Sequence, residues 1–384
     1  MMYSTIRFGD LYAVDSRNGL SKPIKIRGSG YKMINMGELF ANDRIYDIPM
    51  ELVPLKDSEK NNAKVEVGDL LFARQSLVFE GAGKCSIVME VSPLTVFESH
   101  LIRVRLKDNV NPVFYYYYFR STLSPMKSIV SQCAQAGIRG RDLQELNVLF
   151  PPKNVQDKIA NILKKYDELI ENNNKQIKLL EEAAQRLYKE WFVDLRFPGY
   201  EQTEIIDGIP KDWEKKLIGD IIGKISRTKQ IKTSDYLAEG AIPVVDQSRD
   251  FIAGYTNDED SVVNLGIPII VFGDHTRILK YIQFPFAKGA DGTQLIISDK
   301  DNMPQSLLYL SLKAVDLSNY HYARHFKYLK AEIILIPTKE IGDKFDRIVS
   351  PMLSRIQKLR DICNKSSQAR DGLLPKLLGG EIEV

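Results

Sequence analysis

The stretch Asn154–Phe192 constrains this chain more than any other. Ile159, Tyr166, Leu180 and Leu187 form one heptad column, with Asn173 as its polar break, and Leu163, Ile170, Ile177, Ala184 and Trp191 form a second. No Pro or Gly interrupts the run, and the remaining positions are crowded with Lys, Glu, Gln and Asn. Such spacing predicts a long helix that buries a narrow seam against another helix. At the rise of an α-helix it would extend roughly 55–60 Å, far beyond an average globular helix.

The partner helix is found in the same chain. A shift of 186 places Pro151 on Pro337, Asp157 on Asp343, Lys158 on Lys344 and Leu187 on Leu373. Phe345, Met352, Leu359 and Leu373 continue one column, and Val349, Ile356, Cys363 and Leu377 the other. Ser366 and Arg370 interrupt this second seam, and Pro375 with Gly379–Gly380 predicts an earlier end. Each helix follows a short apolar run closing on proline, Asn147-Val148-Leu149-Phe150-Pro151 and Ile333-Ile334-Leu335-Ile336-Pro337, which reads as the last strand of a domain. The expected order is domain, helix, domain, helix, an internal duplication.

A length of 384 residues accommodates two domains and their connecting elements. A formal charge of +3 is too small to establish a polyanionic partner by itself. Cys85, Cys133 and Cys363 have no CxxC spacing and no histidine pair nearby, which argues against a disulfide framework or a zinc site. The first residues lack a signal-peptide core and no apolar run approaches a membrane span, so a cytoplasmic location is the default expectation.

The first domain opens on Phe8-Gly9-Asp10-Leu11 and the second on Ile218-Gly219-Asp220-Ile221. Both openings lead into basic stretches without acid: Arg17, Lys22, Lys25, Arg27 and Lys32, then Lys224, Arg227, Lys229 and Lys232. One such run reads as solvated surface; its recurrence in both copies favours a phosphate-contacting face. Short strands follow, over Ala63–Val67, Leu70–Ala73, Ser86–Val91 and Leu101–Leu106 in the first copy. Ile242–Asp246, Ile267–Phe272, Tyr281–Phe286 and Thr293–Ile297 are their counterparts in the second. Helices are expected near Pro112–Ser121 and Pro304–Ala314. The Tyr115–Tyr118 run could stack bases, but on a helix its rings point four ways, which favours packing. The fold class is α+β, mixed α/β domains with small curved sheets.

Two constellations precede the final strands: Gln135-Ala136-Gly137-Ile138-Arg139-Gly140-Arg141 and Tyr320-His321-Tyr322-Ala323-Arg324-His325-Phe326-Lys327. The same shift pairs Arg139 with His325 and Arg141 with Lys327. Arg, His and Gln on such loops can hydrogen-bond base edges, although an anchored surface loop would use the same residues. His321 and His325 have i, i+4 spacing, but no carboxylate or Cys lies close in sequence to complete a metal site.

Catalytic motifs fail individually. Phe79-Glu80-Gly81-Ala82-Gly83 matches an F-x-G-x-G loop of S-adenosylmethionine-dependent methylases, and Asn111-Pro112-Val113-Phe114 falls one residue short of N-P-P-F. Gly83, however, leads into Lys84–Val91, which reads as a strand where a cofactor loop needs a helix start. Gly81-Ala82-Gly83-Lys84-Cys85 lacks the spacing and hydroxyl of a phosphate loop.

The phrase Leu180-Glu181-Glu182-Ala183-Ala184-Gln185-Arg186-Leu187-Tyr188-Lys189-Glu190-Trp191-Phe192-Val193-Asp194-Leu195-Arg196-Phe197-Pro198-Gly199 resembles the central conserved region of type I restriction-modification specificity subunits. Ile269–Arg277, Phe286–Thr293 and Arg324–Lys330 are similar to one version of that family's target-recognition domain. The resemblance implies two similar recognition domains, 1–152 and 196–338, separated by two long antiparallel helices, 153–195 and 339–384, with coiled-coil-like packing and a pseudo-twofold. It implies a non-catalytic subunit that reads a bipartite site on double-stranded DNA. It further implies recruitment of modification subunits, two of them, and of ATP-dependent restriction subunits. S-adenosylmethionine, ATP and Mg would then act only on those partners. Gln176, Glu182 and Tyr188 would be docking candidates. The rival readings are a helical scaffold without DNA readout and an adenine methylase.

The expected DNA contacts are Arg139, Arg141, Arg324, His325 and Lys327, then Arg74-Gln75-Ser76 and His275-Thr276-Arg277, with Arg17, Lys22, Lys224 and Arg227 from the basic stretches. The expected helix seam is Leu163, Ile170, Ile177, Leu180, Leu187, Val349, Ile356 and Leu359.

Overall fold

The computed structural model describes every residue except 1–2, 133–135, 290 and 321–323, so Cys133, Gln135, Ala290 and His321–Ala323 lie outside the described residues. The chain divides into two compact units, one of residues 1–171 with 364–384, the other of 172–363.

In the first unit, Leu70–Ala73 is the middle strand of a five-stranded sheet. It pairs antiparallel with Leu101–Leu106 on one side and Cys85–Val88 on the other. Tyr12–Asn18 and the short Arg44–Ile45 strand complete the edges. Every residue of Leu70-Leu71-Phe72-Ala73 is buried because both faces of the sheet are covered. Leu70 and Phe72 pack against the helix Pro112–Arg120, while Leu71 and Ala73 pack with Met33, Val53, Val96 and Phe97 of a second sheet. In that sheet Tyr31–Ile34 pairs antiparallel with Glu51–Val53 and parallel with Val96–Phe97. The Ala63–Val67 strand expected from sequence does not form; only Lys64 bridges Val96.

Tyr115–Tyr118 are all buried in the helix, with Tyr115 Oη donating to Leu149 O at 2.9 Å and Tyr117 Oη to Asp167 Oδ2 at 2.6 Å. They are core, not a stacking platform. Asn111 caps this helix: its Oδ1 accepts the Val113 and Phe114 N–H groups, and its Nδ2 donates to Asp157 at 2.7 Å. That local role accounts for Asn111-Pro112 without any catalytic one. Gly83 leads into the Cys85–Val88 strand.

The second unit repeats these pairings. Ile269–Gly273 lies between Leu279–Ile282 and Thr293–Ile296, antiparallel to both. Ile270 and Phe272 face one cluster, with the helix Gln305–Ala314, and Ile269 and Val271 face another. Ile242–Val245 pairs antiparallel with Gly254–Thr256 and parallel with Phe286–Lys288. Both units are closed by a two-stranded ladder formed by an early strand and the run before the long helix. These ladders are Thr5–Arg7 with Asn147–Leu149, and Glu214–Leu217 with Ile333–Ile336.

The first long helix spans Lys153–Tyr188 and continues as a π-helical turn over Lys189–Val193. The second spans Lys339–Gly379, 41 residues. Pro375 therefore does not end it, contrary to the sequence expectation. Leu374, Leu377 and Leu378 around it are buried with Ile159 and Leu163, and that packing outweighs the lost backbone bond. Within each unit the helices run antiparallel. In the first, Asp167 pairs with Arg370; in the second, Glu181 pairs with Arg360 at 2.7 Å while Trp191 lies 5.6 Å from Phe345. Leu163, Val349, Ile356 and Leu359 are buried; Ile170, Ile177, Leu180 and Leu187 are half-buried.

Arg370 was expected to break the seam. It is instead an ion-paired member of the packed surface, since Asp167 is buried beside it and also accepts from Tyr117. Arg44, likewise buried, lies 3.3 Å from Glu171, which accepts from Tyr46 Oη at 2.8 Å.

Candidate nucleic-acid interface

Backbone pairing brings together the two loops that sequence singles out in each unit. In the first unit, Gln75–Ser76 pairs antiparallel with Ala136–Gly137, and the Ile138 N–H donates to Arg74 O at 2.9 Å. In the second, the His325 N–H donates to Asp274 O at 2.9 Å, and the Phe326 N–H to Asp274 Oδ1 at 2.8 Å. In each unit the acceptor is the residue just past the central strand. Arg139 and Arg324 each stand immediately before a short helix, Gly140–Gln144 and His325–Ala331. In that position Arg139 corresponds to Arg324, although the shift of 186 pairs it with His325.

Arg139, Arg141, Arg324 and Lys327 are exposed, and none forms an ion pair among the described residues. Arg74, Gln75 and Ser76 are half-buried, and His275, Thr276 and Arg277 are exposed. Arg277 adopts φ 62°, unusual for a residue with a Cβ, and its Nη1 donates to Leu317 O at 2.9 Å. That bond commits part of its guanidinium to the fold. His325 differs from the rest: it is 6% exposed, with Nδ1 buried and unpartnered. Burial, with the Arg277 guanidinium nearby, holds its imidazole below the usual histidine range. A buried neutral imidazole offers nothing to a phosphate, so His325 supports the loop and does not present a cation.

Part of each basic stretch is neutralised in space. Lys22 is buried and pairs with Glu59 at 2.7 Å, Arg27 with Glu51 at 2.7 Å, Lys32 with Asp47 at 2.7 Å and Lys229 with Asp258 at 2.6 Å. Lys22 is therefore not available as a phosphate contact. Arg17 is exposed and donates to Asn62 Oδ1 at 2.9 Å, whereas Lys224 and Arg227 are exposed without an ion pair among the described residues.

Gln247 carried no signal in the sequence, yet it organises the second unit's loops. Its Nε2 donates to Asp291 O at 2.8 Å, its Oε1 accepts the His275 N–H at 3.1 Å, and its carbonyl accepts from Thr276 Oγ1 at 2.7 Å. Gly292, at φ 84°, lies so close that an added Cβ would come within 2.9 Å of that amide. Among the described residues no group of three His, Cys, Asp or Glu side chains could hold a metal ion, and no helix is long and apolar enough to cross a membrane.

Two α/β units that repeat the same strand pairings, share two long helices and expose paired arginine loops fit a class of DNA-recognition proteins. Residues 3–182 match the family described as type I restriction modification DNA specificity domain. Over those residues, just under half of its length, the chain is similar to type I restriction-modification specificity subunits. It is 29% identical over 307 residues to the type I restriction enzyme MjaIX specificity subunit of Methanocaldococcus jannaschii, covering 72% of this chain and 71% of that one. It is 26% identical to the putative MjaX specificity subunit of the same organism, covering 96% and 91%. The crystal structure of a type I restriction-modification S subunit from M. genitalium superposes with a TM-score of 0.60 at 16% identity, covering 98% of this chain and 96% of that one.

Proposed function

We propose that this chain is the DNA-reading subunit of a type I restriction-modification enzyme. It binds a bipartite duplex site through one recognition domain in each half and performs no chemistry itself. The observation that carries the reading is the recurrence of one loop arrangement: a residue past the central strand receives the backbone of an arginine-bearing loop, at Arg74 with Ile138 and at Asp274 with His325. Exposed arginines there can meet guanine edges or phosphates. The matching strand pairings support an internal duplication, with recognition domains 1–152 and 196–338 and helical segments 153–195 and 339–384. Related specificity subunits support modification and restriction partners. On this reading two modification subunits dock, S-adenosylmethionine, ATP and Mg serve those partners only, and the complex works on cytoplasmic DNA.

A gel shift on random duplexes, with and without the modification subunits, tests the proposal. Enrichment of a two-part motif supports it. Equal binding to every sequence in both conditions would remove it.

A further inference from the structure

The turn that ends the second unit's central strand is fixed from two sides. Ile269–Gly273 runs into Asp274-His275-Thr276-Arg277. On one side the Asp274 carbonyl and carboxylate hold the His325 and Phe326 N–H groups, next to the exposed Arg324. On the other side stands Gln247, in the hairpin tip between Ile242–Val245 and Gly254–Thr256. Its amide works at both ends: Oε1 accepts the His275 N–H at 3.1 Å, and Nε2 donates to Asp291 O at 2.8 Å. A primary amide supplies that donor and acceptor together.

The surroundings hold the amide in place. A Cβ on Gly292, at φ 84°, would come within 2.9 Å of Gln247 Nε2, and one on Gly273 within 2.9 Å of Gln247 Cβ. Two glycines thus flank a side chain that any larger neighbour would push aside. The hairpin tip is itself anchored. The Ser248 N–H donates to Asp246 Oδ1 at 2.9 Å, the Ala253 N–H to Val244 O at 2.9 Å, and the buried Lys280 ammonium to Asp250 O. Arg277, at the far end of the turn, holds φ 62°, a backbone state that persists where its neighbours over-determine it. In the first unit the matching strand, Tyr31–Ile34, leads into the helix Met36–Ala41 instead of a hairpin tip.

We infer that Gln247 is a positioning residue for base reading by the second unit. Its amide sets the His275-Thr276-Arg277 turn, and through Asp274 the Arg324 loop, in the geometry that discriminates bases in one half-site. Side chains that read base edges must be held within about 0.5 Å of their productive placement, so a turn free to shift loses discrimination. The inference rests on the DNA-reading function proposed above and deepens it by naming a residue that sets specificity through the turn it holds.

The experiment uses the full chain with its modification subunits and duplexes in which the enriched bipartite motif is varied one base pair at a time, bound in competition. Gln247→Met keeps the length of the side chain and removes both hydrogen bonds. It should lower discrimination about tenfold at one or more positions of one half-site, the scale of one lost base contact. The other half-site and the slope of log K against log salt should stay unchanged. Ratios between competing sequences do not depend on the fraction of folded protein, so a purely structural loss would leave them intact. Gln247→Asn, one methylene too short to reach both partners, should act in the same way. Preferences intact in both halves, relaxed equally in both, or relaxed in the half that Arg139→Ala also relaxes would overturn the inference, as would a reduced salt slope. Failure of both variants to fold would assign Gln247 to stability alone and overturn it too. Absence of any enriched motif with the unsubstituted complex would instead refute the underlying function.

Discussion

Two charged residue types that look alike in sequence take opposite roles once their surroundings are fixed. Arg324 remains exposed while its neighbour His325 is buried beneath the loop, its imidazole held below the ordinary histidine value by burial and by Arg277. A histidine whose folded value is depressed binds fewer protons than the unfolded chain as pH falls. Stability is therefore full above the ordinary value near 6.5 and declines as pH drops through it toward the folded value. Urea unfolding followed by a probe in the second unit should show its midpoint falling between pH 7.5 and 5.5. His325→Gln should flatten that decline, and an unchanged slope in the variant would show that other groups cause it.

At the scale of elements, the seam between the long helices mixes apolar columns with buried polar groups. Asp167 is buried and held by Arg370 and Tyr117. Arg370→Ala removes the closest cation from this buried carboxylate, leaving it Tyr117 and Arg44 at 4.0 Å, and should destabilise the first unit by about 3 kcal/mol, measured as a fall in its urea midpoint. The replacement of both partners by Asp167→Asn with Arg370→Met should recover most of that loss; no recovery would mean that the arginine stem, not its charge, matters. Asn173 is the opposite case, 4% exposed with Nδ2 unpartnered. Asn173→Leu should raise the second unit's stability by about 1 kcal/mol, because an unsatisfied donor is removed from the seam. A lower midpoint would reveal a register role for the amide.

For the molecule as a whole, the two arginine loops belong to separate units, so their effects on binding should be independent. Arg139→Ala and Arg324→Ala should each relax sequence preference in a different half of the enriched motif, and their losses in affinity should add. If either arginine contacts phosphate instead, preference stays intact and the slope of log K against log salt falls by about 0.9 for that variant. A quantitative gel shift at several salt concentrations separates these outcomes. Both variants relaxing the same half would contradict the assignment of one reader to each unit.

What the sequence determined by itself is what depends on near neighbours. The heptad columns of Asn154–Phe192, the proline-closed runs before each long helix, and the Asn111 cap all follow from periodicity and local backbone chemistry. Tertiary structure alone decided which groups meet across long separations. It placed Glu59, Glu51 and Asp47 on Lys22, Arg27 and Lys32, so an acid-free stretch has three of its cations paired in space. It carried the second helix through Pro375, because Leu374, Leu377 and Leu378 found partners in Ile159 and Leu163. It also set Gln247 against two loop segments, at His275–Thr276 and at Asp291, and laid Arg74 against Ile138. Those outcomes turn on packing and pairing between distant parts of the chain, and no local pattern of residues encodes them.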